Sequence, residues 1–149
     1  MTDPSLILDL PLPAEDDRSA RAASLRSRAA VEAGDRAGWL AIFAEDGVVQ
    51  DPVGPSMFDE AGLGHRGPEA RAAFWDKVIA PNPVQMRIHA SYAGGDEVCN
   101  VITIVNRFPD GSQALVPGVA TYCVDGAGKV VSLRAFWELE QMVFEPAPT

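Results

Sequence analysis

Asp51 ends the run Val48-Val49-Gln50-Asp51, just before Pro52-Val53-Gly54, where a strand normally places an apolar or β-branched residue. Burying a carboxylate without partners costs several kcal/mol, so an aspartate kept at such a place is a candidate for proton transfer. The same residues also suit a turn, since Asp and Pro both start turns, and local sequence leaves the two readings open. The other reactive side chains are scattered. His65 and His89 are isolated, and Cys99 and Cys123 fall in separate strand patterns without the spacing of a metal or redox site. The two cysteines are read as reduced core thiols, in a protein expected to need no metal and no cofactor.

A chain of 149 residues, 47% hydrophobic and 22% charged, is enough for one domain with one core. Its formal charge of −9 disfavours nucleic acid and anionic membranes, whose binding relies on clustered cations. No apolar run approaches the roughly 20 residues that cross a bilayer. Leu6-Ile7-Leu8 lacks the basic flank of a signal sequence, so a cytoplasmic location is expected.

Prolines at positions 4, 11 and 13 exclude a helix over residues 1–14, which read as an extended arm with Leu6, Leu8 and Leu10 along one face. Residues 15–145 form the expected single domain. An Ala- and Arg-rich stretch from Asp17 to Ala33 favours helix and stops at Gly34. Asp35 caps a second helix carrying Trp39, Leu40, Ile42 and Phe43, which breaks near Asp46-Gly47. A short strand over 47–51 leads to a Gly- and Pro-bearing loop, and Gly67-Pro68-Glu69 opens a third helix that Pro81 stops. Four strands follow, Val84 to Tyr92, Val98 to Phe108, Ala114 to Val124 and Val130 to Val143, separated by Gly-Asp turns. The last alternates, with Val131, Leu133, Ala135, Trp137 and Leu139 on the buried side. Helices grouped before antiparallel strands imply an α+β domain: a cone-shaped curved antiparallel sheet wrapped around three N-terminal helices, enclosing a pocket.

Several local motifs resemble the nuclear transport factor 2-like superfamily, and within it the bacterial ketosteroid isomerases. They are Ala33-Gly34-Asp35, Phe43-Ala44-Glu45-Asp46 leading into Gln50-Asp51-Pro52-Val53-Gly54, Arg66-Gly67, and the stretch from Gly126 to Ala135. The similarity covers roughly residues 20–140, with one insertion in the loop 55–66. It implies a cofactor-free enzyme that moves a double bond in a 3-oxo-Δ5 steroid or similar polycyclic ketone, with Asp51 as the proton shuttle, a scheme that is a worked example of general acid-base chemistry. The family's oxyanion donors, a tyrosine on the first helix and a protonated aspartic acid on the penultimate strand, fall here on Ser27 and Ala120. Neither reproduces the original pair.

If Ala120 faces the pocket, alternation brings Tyr122 there too, and the neighbouring strand is expected to present Val101, Thr103, Val105 and Arg107. Tyr122 is the best replacement donor, ahead of the hydroxyls of Ser27 and Thr103. The resemblance also places Trp75 and Trp137 in the substrate slot. Phe58, in the inserted loop, is expected to close its mouth, and His65, just before Arg66-Gly67, either donates to a ligand or caps the third helix. Two other readings stay open: a cyclase, dehydratase or epoxide hydrolase of the same fold, or a non-catalytic small-molecule binder. Ile102, Ile104, Val119 and Cys123 are expected on the outer face of the sheet, too apolar for water, so a homodimer is expected.

Overall fold

The computed structural model describes residues 5–149. Helix α1 (Ala20–Ala33) starts where the Ser19 hydroxyl accepts from the Ala22 N–H and ends at Gly34, whose φ of 68° closes the last turn in the left-handed region. Helix α2 (Arg36–Ala41) is capped by Asp35. It is shorter than expected, because Phe43 already opens strand β1 (Phe43–Gln50). After the loop come β2 (His65–Arg66) and α3 (Pro68–Phe74), which runs on through a wider π turn over Trp75–Ile79. Strands β3 (Val84–Gly94), β4 (Glu97–Arg107), β5 (Gln113–Val124) and β6 (Val130–Phe136) then form a meander.

The sheet order is β2-β1-β6-β5-β4-β3, and the consecutive hairpins make β3 to β6 antiparallel. The sheet is mixed rather than wholly antiparallel, because β1 pairs with β6 in parallel. No hairpin joins those two strands, so nothing in the connection requires them to run in opposite directions. The last strand is also shorter than its alternation suggests. Val119 pairs with Phe136, but Pro117 has no N–H to continue a ladder. The chain leaves the sheet, makes a 3₁₀ turn over Leu139–Gln141 and returns as β7 (Val143–Glu145), which pairs with the other end of β5.

The helices close one side of the curved sheet around an aromatic core. Trp39 is 1% exposed, with its ring centroid 4.8 Å from that of Phe43 and 5.5 Å from that of Trp75. Trp75 therefore belongs to this core, where the resemblance had put it in a substrate slot. The start of β1 is clamped by the buried Arg71, which donates to the carbonyls of Gly47 (2.7 Å) and Glu45 (3.1 Å) and lies over the Phe43 ring. Residues 5–14 run along β3: the Leu8 N–H donates to the Ile88 carbonyl, His89 Nδ1 to the Leu6 carbonyl, and Leu8 and Leu10 pack on the core. The prolines at 11 and 13 fall in this segment, which is neither helix nor strand over residues 6–14; Pro4 lies outside the described residues.

Gly47 lies in the irregular stretch of β1 between the paired residues Phe43 and Val48, against the start of β6. A Cβ there would stand 2.6 Å from the Val130 carbonyl oxygen and 3.1 Å from that of Ala44, both backbone atoms. Gly47→Ala is therefore expected to destabilise the protein by about 1–3 kcal/mol through overpacking. Thermal unfolding measures this, and an unchanged midpoint would show that the strand yields freely.

Cys99 and Cys123 are free, as expected, but half-buried rather than in the core. Both lie on strands with alternate residues turned away from the helices, and burial pushes the Cys123 thiol up from its ordinary value.

Candidate active site

Between the helices and the inner face of the sheet lies a cavity of about 340 Å³, within the usual range for small-molecule sites. Its walls are apolar along most of their length, from Val31 and Val78 on the helices to Ile102, Ile104 and Val116 on the strands. Asp51, Ser27, Phe58, Ala120, Tyr122 and Trp137 all line it. Of the residues expected around the ligand, these six are brought together.

Asp51 follows directly on β1, and its peptide bond to Pro52 is cis. The Trp137 indole donates to its carboxylate Oδ1 at 2.6 Å. This bond comes from the segment just past β6, the strand that runs parallel beside β1, so the parallel pair is what brings acceptor and donor to the same end of the sheet. Loss of hydration raises the Asp51 pKa above the ordinary aspartate value, and the Trp137 bond and the attraction of His65 offset part of that rise. A carboxyl held by one hydrogen bond in an apolar wall has an enhanced affinity for a proton, the property a general base needs.

The second polar cluster is a three-membered chain. The Trp39 indole N–H donates to Ser27 Oγ at 3.1 Å, and the Tyr122 hydroxyl lies 2.9 Å from the same oxygen. An indole N–H can only donate, so Ser27 must accept from Trp39. Ser27 and Tyr122 then share one bond between two O–H groups, whichever way it points. One hydroxyl proton is left over. Both residues line the cavity, so a ligand oxygen there meets a free O–H donor. Burial pushes the Tyr122 phenol well above its ordinary value, its bond to Ser27 offsets part of this, and the charge of Asp51 adds to the rise. Tyr122 is thus a neutral donor at any physiological pH. It rises from a strand to meet the position where the resemblance implies a helix-borne tyrosine.

The four expectations about β4 fail together. Thr103, Val105 and Arg107 do not line the cavity, and neither does Val101; Ile102, Ile104 and Asn106 do. The cross-strand register is Ala120 opposite Asn100, Gly118 opposite Ile102 and Ala114 opposite Asn106. The expected pairing is off by one residue, which turns every side chain of β4 to the other face. Thr103 instead meets His89 Nε2 at 2.7 Å on the outer face, while Val105 is fully buried there and Arg107 is exposed. For the same reason Ile102 and Ile104 are not part of an outer apolar patch. His65 neither caps α3 nor lines the cavity: it pairs with Val49 and packs its ring 4.8 Å from that of Phe74. Phe74 is the cavity aromatic on this helix, one residue before the expected Trp75. Helical spacing alone could have indicated either. Phe58, from the loop after Gly54, lines the cavity with its ring centroid 6.4 Å from that of Trp137.

The SnoaL-like domain family matches residues 25–133. The chain belongs to this family. Among solved structures it is 40% identical to a Δ5-3-ketosteroid isomerase from a Mycobacterium species, with a TM-score of 0.77 over 85% of this chain and 98% of that one. A Mycobacterium tuberculosis protein crystallised with estradiol-17β-hemisuccinate is 37% identical, with a TM-score of 0.77 over 84% of this chain and 98% of that one. An LEH-like epoxide hydrolase of M. tuberculosis shares the fold at 19% identity, TM-score 0.67, over 87% of this chain and 89% of that one. The α+β cone of this SnoaL-like chain is therefore the ketosteroid isomerase fold. Within the described residues, no helix is long and apolar enough to cross a membrane.

Proposed function

We propose that this SnoaL-like protein moves a carbon–carbon double bond in a 3-oxo-Δ5 steroid or a similar flat polycyclic ketone, with Asp51 as base and acid in turn. The observation that carries this reading is the single apolar cavity that holds a carboxylate of raised proton affinity together with a free hydroxyl donor. Asp51 removes a proton from the carbon between the ketone and the double bond. The electron pair moves to the ketone oxygen, giving a dienolate, whose developing charge the spare O–H of the Ser27–Tyr122 pair stabilises. The carboxylic acid formed at Asp51 then returns its proton to the far carbon of the dienolate, and the double bond is conjugated with the ketone. Atoms and electrons balance without any further reactant. The 40% identity to a mycobacterial isomerase and the estradiol derivative bound by a second relative support a steroid as the ligand.

The test is conversion of 5-androstene-3,17-dione to the conjugated enone by the purified protein, followed by the ultraviolet absorbance of the product. No conversion above the buffer rate would sink the reading. An epoxide hydrolase or cyclase is less well supported, because water attack needs further charged groups to hold the water and activate the epoxide, and among the described residues the cavity lining holds no second carboxylate and no arginine, only neutral donors beside Asp51. A pure binder is opposed by Asp51 itself, which a binding site would gain by losing.

The pH profile offers a second check. Asp51 works only when deprotonated, so activity is present above its pKa and is lost as pH falls through it. Since that pKa is raised, the acid limb of kcat/KM is expected at higher pH than the roughly 4 of a free aspartate. A limb at or below that value would mean that the catalytic base is another group or an exposed one.

A homodimer packed through the outer face of the sheet completes the proposal. That face carries Val101, Thr103, Val119 and the 43%-exposed Phe136 around an open groove of about 570 Å³. Light scattering at a monomer mass across the micromolar range would remove it.

A further inference from the structure

The cavity is polar at both ends. One end holds Asp51 and the hydroxyls of Ser27 and Tyr122, with Ala120 beside them. The other end lies near Asn106. From Ala120 to Ala114, the residue opposite Asn106, β5 runs six residues, or roughly 20 Å. Between the two ends the wall is hydrocarbon: Ile102 and Ile104 precede Asn106 on the same face of β4, and Val116 and Met86 stand beside them. Asn106 interrupts this apolar stretch in a strand position where Asn is disfavoured, and the other asparagine of the same face, Asn100, donates to the Ser24 hydroxyl instead.

Its carboxamide has no hydrogen-bonding partner among the described residues, although the residue is half-buried between Val84 on β3 and Ala114 on β5. The second amide near this end, Asn82, is committed differently. Its N–H₂ caps the Val78 carbonyl at 2.8 Å, and the residue is exposed. Asn106 alone keeps both a donor and an acceptor directed along an apolar wall, so it can pair with a keto or a hydroxyl oxygen. A partly desolvated amide left without a partner disfavours a ligand that offers hydrocarbon there, and this asymmetry is how a site discriminates.

We propose that Asn106 is a specificity-determining residue, and that the cavity selects rigid, apolar ligands with a second oxygen at the end remote from Asp51. This rests on the steroid reading above and narrows it, from polycyclic ketones in general to those oxygenated at both ends.

The test reads equilibrium binding rather than turnover. Quenching of tryptophan fluorescence is measured with two conjugated ketones, 4-androstene-3,17-dione and 4-androsten-3-one, which differ only in the far oxygen. The native protein is expected to bind the diketone about tenfold more tightly, the factor one net hydrogen bond supplies. In Asn106→Leu the preference is expected to fall to one or below. If the leucine variant does not fold, Asn106→Ala is read in the same way. Equal binding of the two steroids by the native protein, or an undiminished preference in the variant, overturns the inference and leaves the isomerase reading standing. Failure of the native protein to bind either steroid overturns both.

Discussion

Asp51→Asn is expected to lower the turnover of 5-androstene-3,17-dione by about 10³- to 10⁴-fold, the upper part of what a positioned general base contributes. The asparagine amide is not basic, but it is nearly the same size, and its side-chain oxygen can still accept the Trp137 indole that now lies 2.6 Å from Oδ1. The loss therefore reads the missing proton acceptor rather than a collapsed wall. A second readout separates function from folding. The Asp51 pKa is raised in the folded protein, chiefly by loss of hydration, so the folded state disfavours the charged form. That cost is absent below the unfolded pKa, grows as pH rises toward the folded pKa, and stays constant above it. At neutral pH the neutral asparagine escapes it, and the variant is expected to melt a few degrees higher than the native protein. A variant that is both inactive and less stable would indicate that Asp51 holds the structure together, and a variant that still isomerises at near-native rate would remove it as the base.

Chemistry-bearing residues were easier to find by local sequence than by reasoning about faces. Asp51 stood out because it interrupts an apolar run, and the helix ends were legible from Gly34 and Gly67-Pro68, whose backbone requirements are local. The β4 face was not legible, because its two faces are about equally apolar: Val101 and Val105 on one, Ile102 and Ile104 on the other. Alternation carries no information in such a strand, and only the hairpin geometry sets the register. Here the connection is a closed turn in which the Phe108 N–H donates to the Ser112 carbonyl and Asp110 binds the Ser112 N–H, so that Arg107 pairs with Gln113. The Asp51–Trp137 bond was hidden for another reason: it depends on β1 lying parallel beside β6, a contact across 86 residues that no local pattern encodes. The last strand illustrates the converse error. Its alternation runs on past Phe136, but Pro117 on the neighbouring strand ends the ladder, so the limit lies in the partner's sequence rather than its own.

The largest effect after loss of the base is expected from removing Ser27 and Tyr122 together, and it tests whether the pair acts as one donor. Either hydroxyl can supply the spare proton. In Tyr122→Phe, Ser27 still accepts from Trp39 and its own O–H is released toward the ligand. In Ser27→Ala, the Tyr122 O–H is released instead, while the Trp39 N–H loses its partner. Each single variant thus keeps one donor and is expected to lose about tenfold or less in kcat. Of the two, Tyr122→Phe is the slower, because a phenol is more acidic than an alcohol and closer in pKa to an enol. The double variant has no donor, and the full contribution of an oxyanion contact disappears, about 10³-fold at the upper end of such effects. The two losses are therefore far from additive, with the double variant well below the product of the singles. Measurement of kcat for all four proteins decides the matter. If the single losses multiply to the double loss, the hydroxyls act independently. If the double variant retains near-native kcat, the dienolate oxygen is stabilised by a group elsewhere in the cavity, and the Ser27–Tyr122 pair serves only to tie α1 to β5 through Trp39.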